Sequence, residues 1–367
     1  MTATYAQPDH AAGYLVRAAV TAPSLHNTQP WLFLCRDRGI TVHYDITRRL
    51  LLADPDGREM LLSCGAALFN ARMAMRHLGY RPVVQLHPHP RRPDALAQVD
   101  WGAYATSTHE DELLYRAIRQ RHTWRGPFHT PAVPRPLIAA LREQARAEGA
   151  ELYPLTTALE QGHLAELVKE AECLQRGDRE RTVELAHWAH PSGDCRFDGV
   201  PDEACPFHPD SAAYAGRDFT GLTRDRATAR PPWTWSARTG QVAVLTTPYD
   251  TPQDWLRAGQ ALQRVLLYAT GHQVSAAFHT QPLELPRLRT QVRSLLVSRQ
   301  FPQMILRLGS THWSLRTARR PLCEVLLTEP PARTNRVRPT GPMLSPLRAG
   351  PSDPDDVPAA KGPSALH

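Results

Sequence analysis

Apolar residues recur along this chain first at helical spacing and then at strand spacing, and the switches mark out its elements. Over 14–21, Tyr14, Leu15, Ala18 and Ala19 share one face of a short helix, which the Ala22-Pro23-Ser24 breaker ends. Two apolar runs, 31–35 and 40–44, flank Arg36-Asp37-Arg38-Gly39 and read as a hairpin. Over 58–78, Leu61, Leu62, Ala66, Leu68, Ala71, Met75 and Leu78 cover most of a helix's circumference. That helix is therefore expected to be central and buried, with Gly79 stopping it. Strands are expected over 83–86 and 96–101. A second unit begins near Glu110, with helices over 111–120, 136–147, 163–173, 179–188, 251–270 and 287–298 and strands over 151–155, 242–247 and 322–327. Between 189 and 232 the pattern lapses into a stretch rich in Pro, Gly, Asp and His. A loop that long is usually functional, as a lid or a binding loop. From 330 onward nine prolines and few apolar residues predict a disordered tail.

Two of the buried helices are alike. Gly65-Ala66-Ala67-Leu68-Phe69 runs on to Leu78-Gly79-Tyr80, and Gly259-Gln260-Ala261-Leu262-Gln263 runs on to Thr270-Gly271-His272. Each carries an early glycine, ends at a glycine and leads into an extended segment. Any two buried helices share part of this pattern, so its weight rests on the motifs that accompany it.

Composition narrows the choices. The formal charge is +7, yet nearly every basic residue is arginine, with lysine only at Lys169 and Lys361. The arginines are scattered among acids, with no basic stripe interleaved with aromatics, so no nucleic-acid partner is expected. No run of about 20 apolar residues is present, so no membrane span is expected. Residues 1–10 lack the basic-then-apolar pattern of a signal peptide, which makes the cytoplasm the default location. Six cysteines form no CxxC pair and read as reduced thiols. His187, His190, Cys195, Cys205 and His208 match no standard metal-ligand spacing, and no metal is expected.

Two motifs carry chemistry. In Pro23-Ser24-Leu25-His26-Asn27-Thr28-Gln29-Pro30-Trp31, prolines rigidify a turn whose Ser, Asn and Gln side chains offer donors and acceptors without net charge. Such a turn suits the polar edge of a planar heterocycle. In Arg121-His122-Thr123-Trp124-Arg125, alternate residues of an extended segment point the same way. Two guanidinium forks and a hydroxyl can then converge on a phosphate. In an arginine-rich chain the same residues also read as solvated surface.

The first motif resembles the flavin-contacting loop of the nitroreductase family. The second is similar to its Arg-x-Ser-x-Arg phosphate motif, with Thr for Ser and one residue inserted before Phe128. Arg58-Glu59, Ser63-Cys64-Gly65-Ala66, and the segments 277–284, 302–309 and 319–322 resemble the Acg-type branch of that family, which is single-chain and internally duplicated. The resemblance covers roughly 14–327. It implies an α+β fold of two fused nitroreductase-like lobes, each a central antiparallel or mixed sheet with surrounding helices, packed as a pseudo-dimer. The first lobe, 1–108, carries the Pro-Ser loop. The second, 109–329, carries the arginine motif and the lid-like insertion at about 189–232, and 330–367 is the tail. In the dimeric template one subunit supplies the arginines and the other the loop. One copy of each remains here, so a single FMN site is expected between the halves and the chain is expected to be a monomer.

The residues implied at that site are Pro23, Ser24, Leu25, Asn27, Gln29, Arg121, Thr123 and Arg125, joined from the late part of the chain by Gln281, Arg319 and Arg320. The implied activity is hydride transfer from NAD(P)H through FMN to a small-molecule electron acceptor, with no dedicated catalytic side chain. The two lysines fall outside the motifs, and the central insertion can close the ring's open face. The same resemblance therefore also implies an alternative, a flavin-sequestering protein with little or no turnover.

Overall fold

The computed structural model describes residues 8–328 except 37, 90, 130–131, 211–212, 220, 222–238, 298 and 312–315. The expected tail from 330, and the part of the expected lid beyond 221, lie outside the described residues. The first helix, α1 (Pro8–Ala19), starts earlier than the apolar pattern indicated. It leads into a hairpin of β1 (Trp31–Arg36) and β2 (Gly39–Tyr44), paired from Trp31↔Tyr44 to Arg36↔Gly39. Next come α2 (Arg58–His77), β3 (Tyr80–Leu86), β4 (Ala95–Tyr104) and α3 (His109–Ala117). The chain continues through α4 (Arg135–Arg146), β5 (Glu151–Pro154), α5 (Ala158–Gly177) and α6 (Arg179–His187). A small parallel pair, β6 (Ala189–His190) and β7 (Val200–Pro201), interrupts the long irregular stretch. Last come β8 (Gln241–Thr247), α7 (Pro252–Gly271), β9 (Ser275–Phe278), α8 (Pro286–Leu296), β10 (Phe301–Gly309), α9 (Leu322–Val325) and β11 (Leu326–Leu327). Capping boxes open α3, α5 and α7, where Thr108, Thr157 and Thr251 exchange hydrogen bonds with Asp111, Glu160 and Asp254.

The fold is α+β, with two main sheets. The first has strand order β11-β1-β2-β4-β3 and is mixed, because β11 joins β1 in parallel through Phe33↔Leu326 and Leu34↔Leu327. The second, β5-β8-β10-β9, is antiparallel throughout. One core packs α1 and α2 on the first sheet through Leu15, Phe33, Phe69 and Val99. The second sheet is buried on both faces. Leu262 and Val265 of α7 and Leu141 of α4 cover one side, and Leu164, Leu288 and Tyr214 cover the other.

Two regions differ from the expectation. The 302–309 segment, noted only for its resemblance to the Acg-type branch, is the inner strand β10, and neither it nor β9 before it was anticipated as a strand. A strand covered on both faces shows an unbroken apolar run rather than alternation; only Phe301 at its start is half-buried. Pro302 sits at a bulge, where the register shifts before Met304. The expected strand over 322–327 begins instead as the helical turn α9, because Pro321 holds φ at −63° and its carbonyl accepts from Glu324 N–H. Only Leu326 and Leu327 remain as strand.

Helices α2 and α7 cross at the centre of the molecule, and the two early glycines noted in the sequence form the crossing. Gly65 stands seven residues after the first residue of α2, and Gly259 seven after the first of α7. A β-carbon on Gly65 would lie 2.3 Å from the Leu256 carbonyl oxygen, and one on Gly259 would lie 2.0 Å from that of Leu62. Both obstacles are helix backbone, which cannot step aside. Gly259→Ala is therefore expected to destabilise the protein by roughly 3 kcal/mol through overpacking. Urea unfolding checks this: an unchanged midpoint would show that the helices can separate without loss.

Candidate functional site

The loop between α1 and β1 folds on itself. Asn27 N–H donates to the Ser24 carbonyl, Thr28 N–H to that of Leu25, and the Ser24 hydroxyl accepts from Gln29 N–H at 2.9 Å. Three of its non-glycine residues have left-handed backbones, His26, Asn27 and Gln29, with φ of 49°, 57° and 52°. Such conformations cost about 1–2 kcal/mol each and persist only where the surroundings enforce them. Here distant chain enforces them. Asn27 Nδ2 donates to the carbonyls of Gly199 and Ala318 at 2.9 and 3.1 Å. Gln29 Nε2 donates to Phe197 O at 2.7 Å, and its Oε1 accepts from Arg320 N–H at 2.8 Å. Arg320 Nη1 returns to Gln29 O. Asn27, Gln29 and Arg320 thus lock the loop from behind, while Pro23, Ser24, Leu25 and His26 face a cavity.

That cavity is walled on its other sides by Glu59, Leu62 and Ser63 of α2, by Thr123 to Gly126, by Leu262 of α7, by His279 and Thr280 after β9, and by Met304 and Arg307 of β10. Phe207, Tyr214, Arg217 and Phe219, from the stretch anticipated as a lid, cover it. Phe219 packs edge-on against His26 and lies under the Arg125 guanidinium. Arg217 anchors the cover by an ion pair with Glu284 and hydrogen bonds to Gln175 and Thr280.

Thr123 bridges to Ala276 beside β9, and this extended stretch puts Arg121 and Arg125 on either side of it. Arg121 reaches the end of α1, where its Nη2 donates to Thr21 O; Arg319 Nη2 donates to the same carbonyl and to Ala22 O. Arg121 Nε and Nη1 and Arg319 Nε are buried without a partner. Burial, then repulsion from Arg319 and Arg125, lowers Arg121 to about 9. Burial, then Arg125, lowers Arg319 to about 10, and burial also lowers Arg125. Among the described residues no carboxylate pairs with any of the three. Arg121 and Arg319 thus keep unfilled N–H donors, and the three neighbouring cations lack a carboxylate partner among the described residues, an arrangement whose chemistry suits a dianion.

The remaining anticipated residue, Gln281, does not line the cavity, and neither do Arg121 and Arg319. Gln281 Nε2 donates to Glu172 and to Ala215 O, on the far side of the turn that follows Thr280. Arg307 and His279, whose segments were noted without either residue being singled out, are at the cavity wall instead. A lone cation within the apolar run Met304-Ile305-Leu306-Arg307-Leu308 was the available signal. Arg307 Nε donates to His279 Nε2 at 2.7 Å, and its other nitrogens donate to Thr239 O and Gly126 O. A guanidinium can only donate, so His279 Nε2 is bare and its Nδ1–H faces Ala215 O at 3.2 Å. Burial and the Arg307 charge hold His279 well below its ordinary value of 6.5. Below pH 6.5 the unfolded chain takes up a proton there that the folded chain refuses, so this contribution to stability is present above that pH and lost as pH falls. Relative to His279→Gln, wild-type stability is expected to fall by about 1.4 kcal/mol per pH unit below about 6.5. Parallel slopes for the two proteins, by denaturant unfolding at several pH values, would exclude it.

No family model matches the chain. Two proteins of Mycobacterium tuberculosis (strain ATCC 25618 / H37Rv) are similar to it over most of their length. One, named "Putative NAD(P)H nitroreductase Rv3131", is 32% identical over 293 residues, 79% of this chain and 82% of that protein. Another, named "Putative NAD(P)H nitroreductase acg", is 31% identical over 295 residues, 80% of this chain and 87% of that protein. The chain belongs to this Acg-type family of nitroreductase-like proteins. Among solved structures, the FMN-dependent nitroreductase NfnB from Mycobacterium smegmatis, in complex with NADPH, is 20% identical over 60% of this chain and 99% of that one, with a TM-score of 0.37.

Proposed function

We propose that the chain binds FMN in the covered cavity and passes reducing equivalents from NAD(P)H to a small-molecule acceptor. The observation that carries this reading is the trio of buried Arg121 and half-buried Arg125 and Arg319, which no carboxylate pairs among the described residues; Arg125 lines the cavity walled by the Pro23–Leu25 turn. The three arginines and the Thr123 hydroxyl would hold the phosphate, whose double charge relieves their mutual repulsion. Pro23, Ser24 and Leu25 would flank the ring, while Asn27, Gln29 and Arg320 fix that turn and Gln281 supports the cover. Arg307, held by His279 at the opposite wall, supplies a fixed positive charge. When bound, FMN supplies reversible two-electron chemistry at its ring, which the protein orients and shields from water.

Domain organisation enters the same reading. Residues 1–108 and 109–329 are proposed as two related lobes, supported by the equal placement of Gly65 and Gly259 in two helices of 20 residues each. Their crossing already lies inside one chain, which favours a monomer.

A specific observation supports a second reading, sequestration of flavin with little turnover. The Phe219 and Arg217 contacts close the cavity over the Pro23–His26 turn. One experiment addresses both. Protein mixed with excess FMN and desalted is expected to keep a flavin spectrum. Arg121→Ala/Arg125→Ala is expected to bind FMN at least about a hundredfold more weakly, since each charge-assisted contact is worth about 1.5–3 kcal/mol. Anaerobic addition of NADPH or NADH is then expected to bleach the bound flavin. A stable spectrum over the following hour would favour sequestration, and wild-type protein that retains no flavin would overturn both readings.

A further inference from the structure

We infer that Glu59 is the proton donor to the electron acceptor in this cavity, recharged through Glu284 from the outer cavities on either side of it. This inference rests on the flavin reading above.

Reduction of an acceptor by a hydride equivalent leaves an electron pair that needs a proton, so the cavity wall must supply one. Its arginines release none near neutral pH. Nor do its histidines. His279 is fixed between Arg307 and Ala215 O, and burial with the charges of Arg217 and Arg125 keeps His26 neutral. Burial also raises the Tyr214 hydroxyl and the Cys205 thiol. Glu59 is the carboxyl group at the wall.

Its surroundings favour the protonated acid. Arg58 Nη2 donates to Glu59 Oε1 at 2.7 Å, a contact that is stronger to the carboxylate but is kept by the protonated acid through its carbonyl oxygen. Oε2 meets no hydrogen-bond donor among the described residues. Arg58 divides its charge, since Nη1 is spent on the Gln303 backbone and side-chain oxygens. The groups facing Glu59 are Arg58 on its own helix, Asp54 in the preceding turn, Glu284 in the turn after β9, Arg217 on the cover and, from α8, Arg289, which is itself paired with Asp250. Asp54 is held there by the Glu59 and Met60 N–H groups at 3.0 and 2.8 Å. Arg217 is already paired to Glu284. Burial, with the two neighbouring carboxylates, outweighs the cations and pushes Glu59 up to about 8.

Glu284 completes the path. It touches a cavity of about 370 Å³ between α5, α6 and the cover, and another of about 280 Å³ beside α8. Either has room for water beside its carboxylate. In the step, a hydride equivalent from a dihydronicotinamide forms a new bond to the acceptor. The displaced pair on the acceptor's oxygen or nitrogen takes the proton from Glu59; the O–H bond breaks and its electrons remain on the carboxylate. A proton from water, relayed past Glu284, restores the acid. The sum is acceptor, NAD(P)H and one proton giving reduced acceptor and NAD(P)+.

Infrared difference spectra of the purified protein between about pH 6 and about pH 9, bracketing the value near 8, test the donor directly. Wild type is expected to lose a protonated-carboxyl C=O band across this range, and Glu59→Gln to lack that band. Glu284→Gln removes a neighbouring negative charge and is expected to move the midpoint to lower pH. Reoxidation of prereduced flavoprotein by a quinone is expected to slow about a hundredfold in Glu59→Gln, while reoxidation by ferricyanide, which takes up no proton, changes less than about twofold. A band that persists in Glu59→Gln, or equal slowing with both acceptors, would overturn the proposal. If the wild type keeps flavin but shows no such band, the donor role alone fails. If it keeps no flavin, the reading beneath fails and the donor role falls with it. Should Glu59→Gln not fold, an unmoved midpoint in Glu284→Gln overturns the relay.

Discussion

Everything in this molecule is hung on the contact between Gly65 and Gly259. Because neither residue has a side chain, α2 and α7 approach until backbone meets backbone. Flanking side chains then complete the joint: Gln263 Nε2 donates to Asn70 Oδ1 at 2.7 Å, and Arg72 and Arg264 both lie over the Phe69 ring and reach Glu148. The cavity lies where this joint ends. Leu62 and Ser63 come from one helix and Leu262 from the other, so the spacing of the helices sets its width.

Around that cavity the electrostatics divide by sign. Near the end of α1 Arg121 and Arg319 crowd together with Arg125, with no carboxylate paired to any of them among the described residues. On the opposite side Glu59, Asp54 and Glu284 crowd around Arg58 and Arg217. Within each group the like charges raise one another's energy, and only the acidic side has opposite charges to offset this, in the Arg58–Glu59 and Arg217–Glu284 pairs. Such concentrations are informative about function because packing alone gives no reason for them.

Much of the fold was legible because it depends on local pattern. The circumferential apolar run of α2, the hairpin of β1 and β2, and the glycine stops of helices follow from spacing. β9 and β10 did not follow, since a strand buried on both faces carries no alternation. The candidate site was legible as far as residue types: the Pro23–Leu25 turn and the arginines at 121 and 125 stand out by composition and spacing, and the fold brings Pro23, Ser24, Leu25, Thr123 and Arg125 to one cavity. The roles of Asn27 and Gln29 did not, because they are decided by carbonyls of Phe197, Gly199 and Ala318, far along the chain. His279 and Arg307 explain one another only once β9 and β10 are paired.

The parallel pairing of β11 with β1 has a consequence for biosynthesis. The first sheet is begun by residues 31–36 but closed by Leu326 and Leu327. The same late stretch brings Ala318, Arg319 and Arg320 to the turn at 21–29. Until that stretch is made, the turn has only the contacts of Phe197 and Gly199 to hold Asn27 and Gln29, and one edge of the sheet stays open. The turn is encoded early and its last contacts are made late, so a chain cut short before residue 318 would have most of its core but lack the hydrogen bonds of Ala318, Arg319 and Arg320 to residues 21–29.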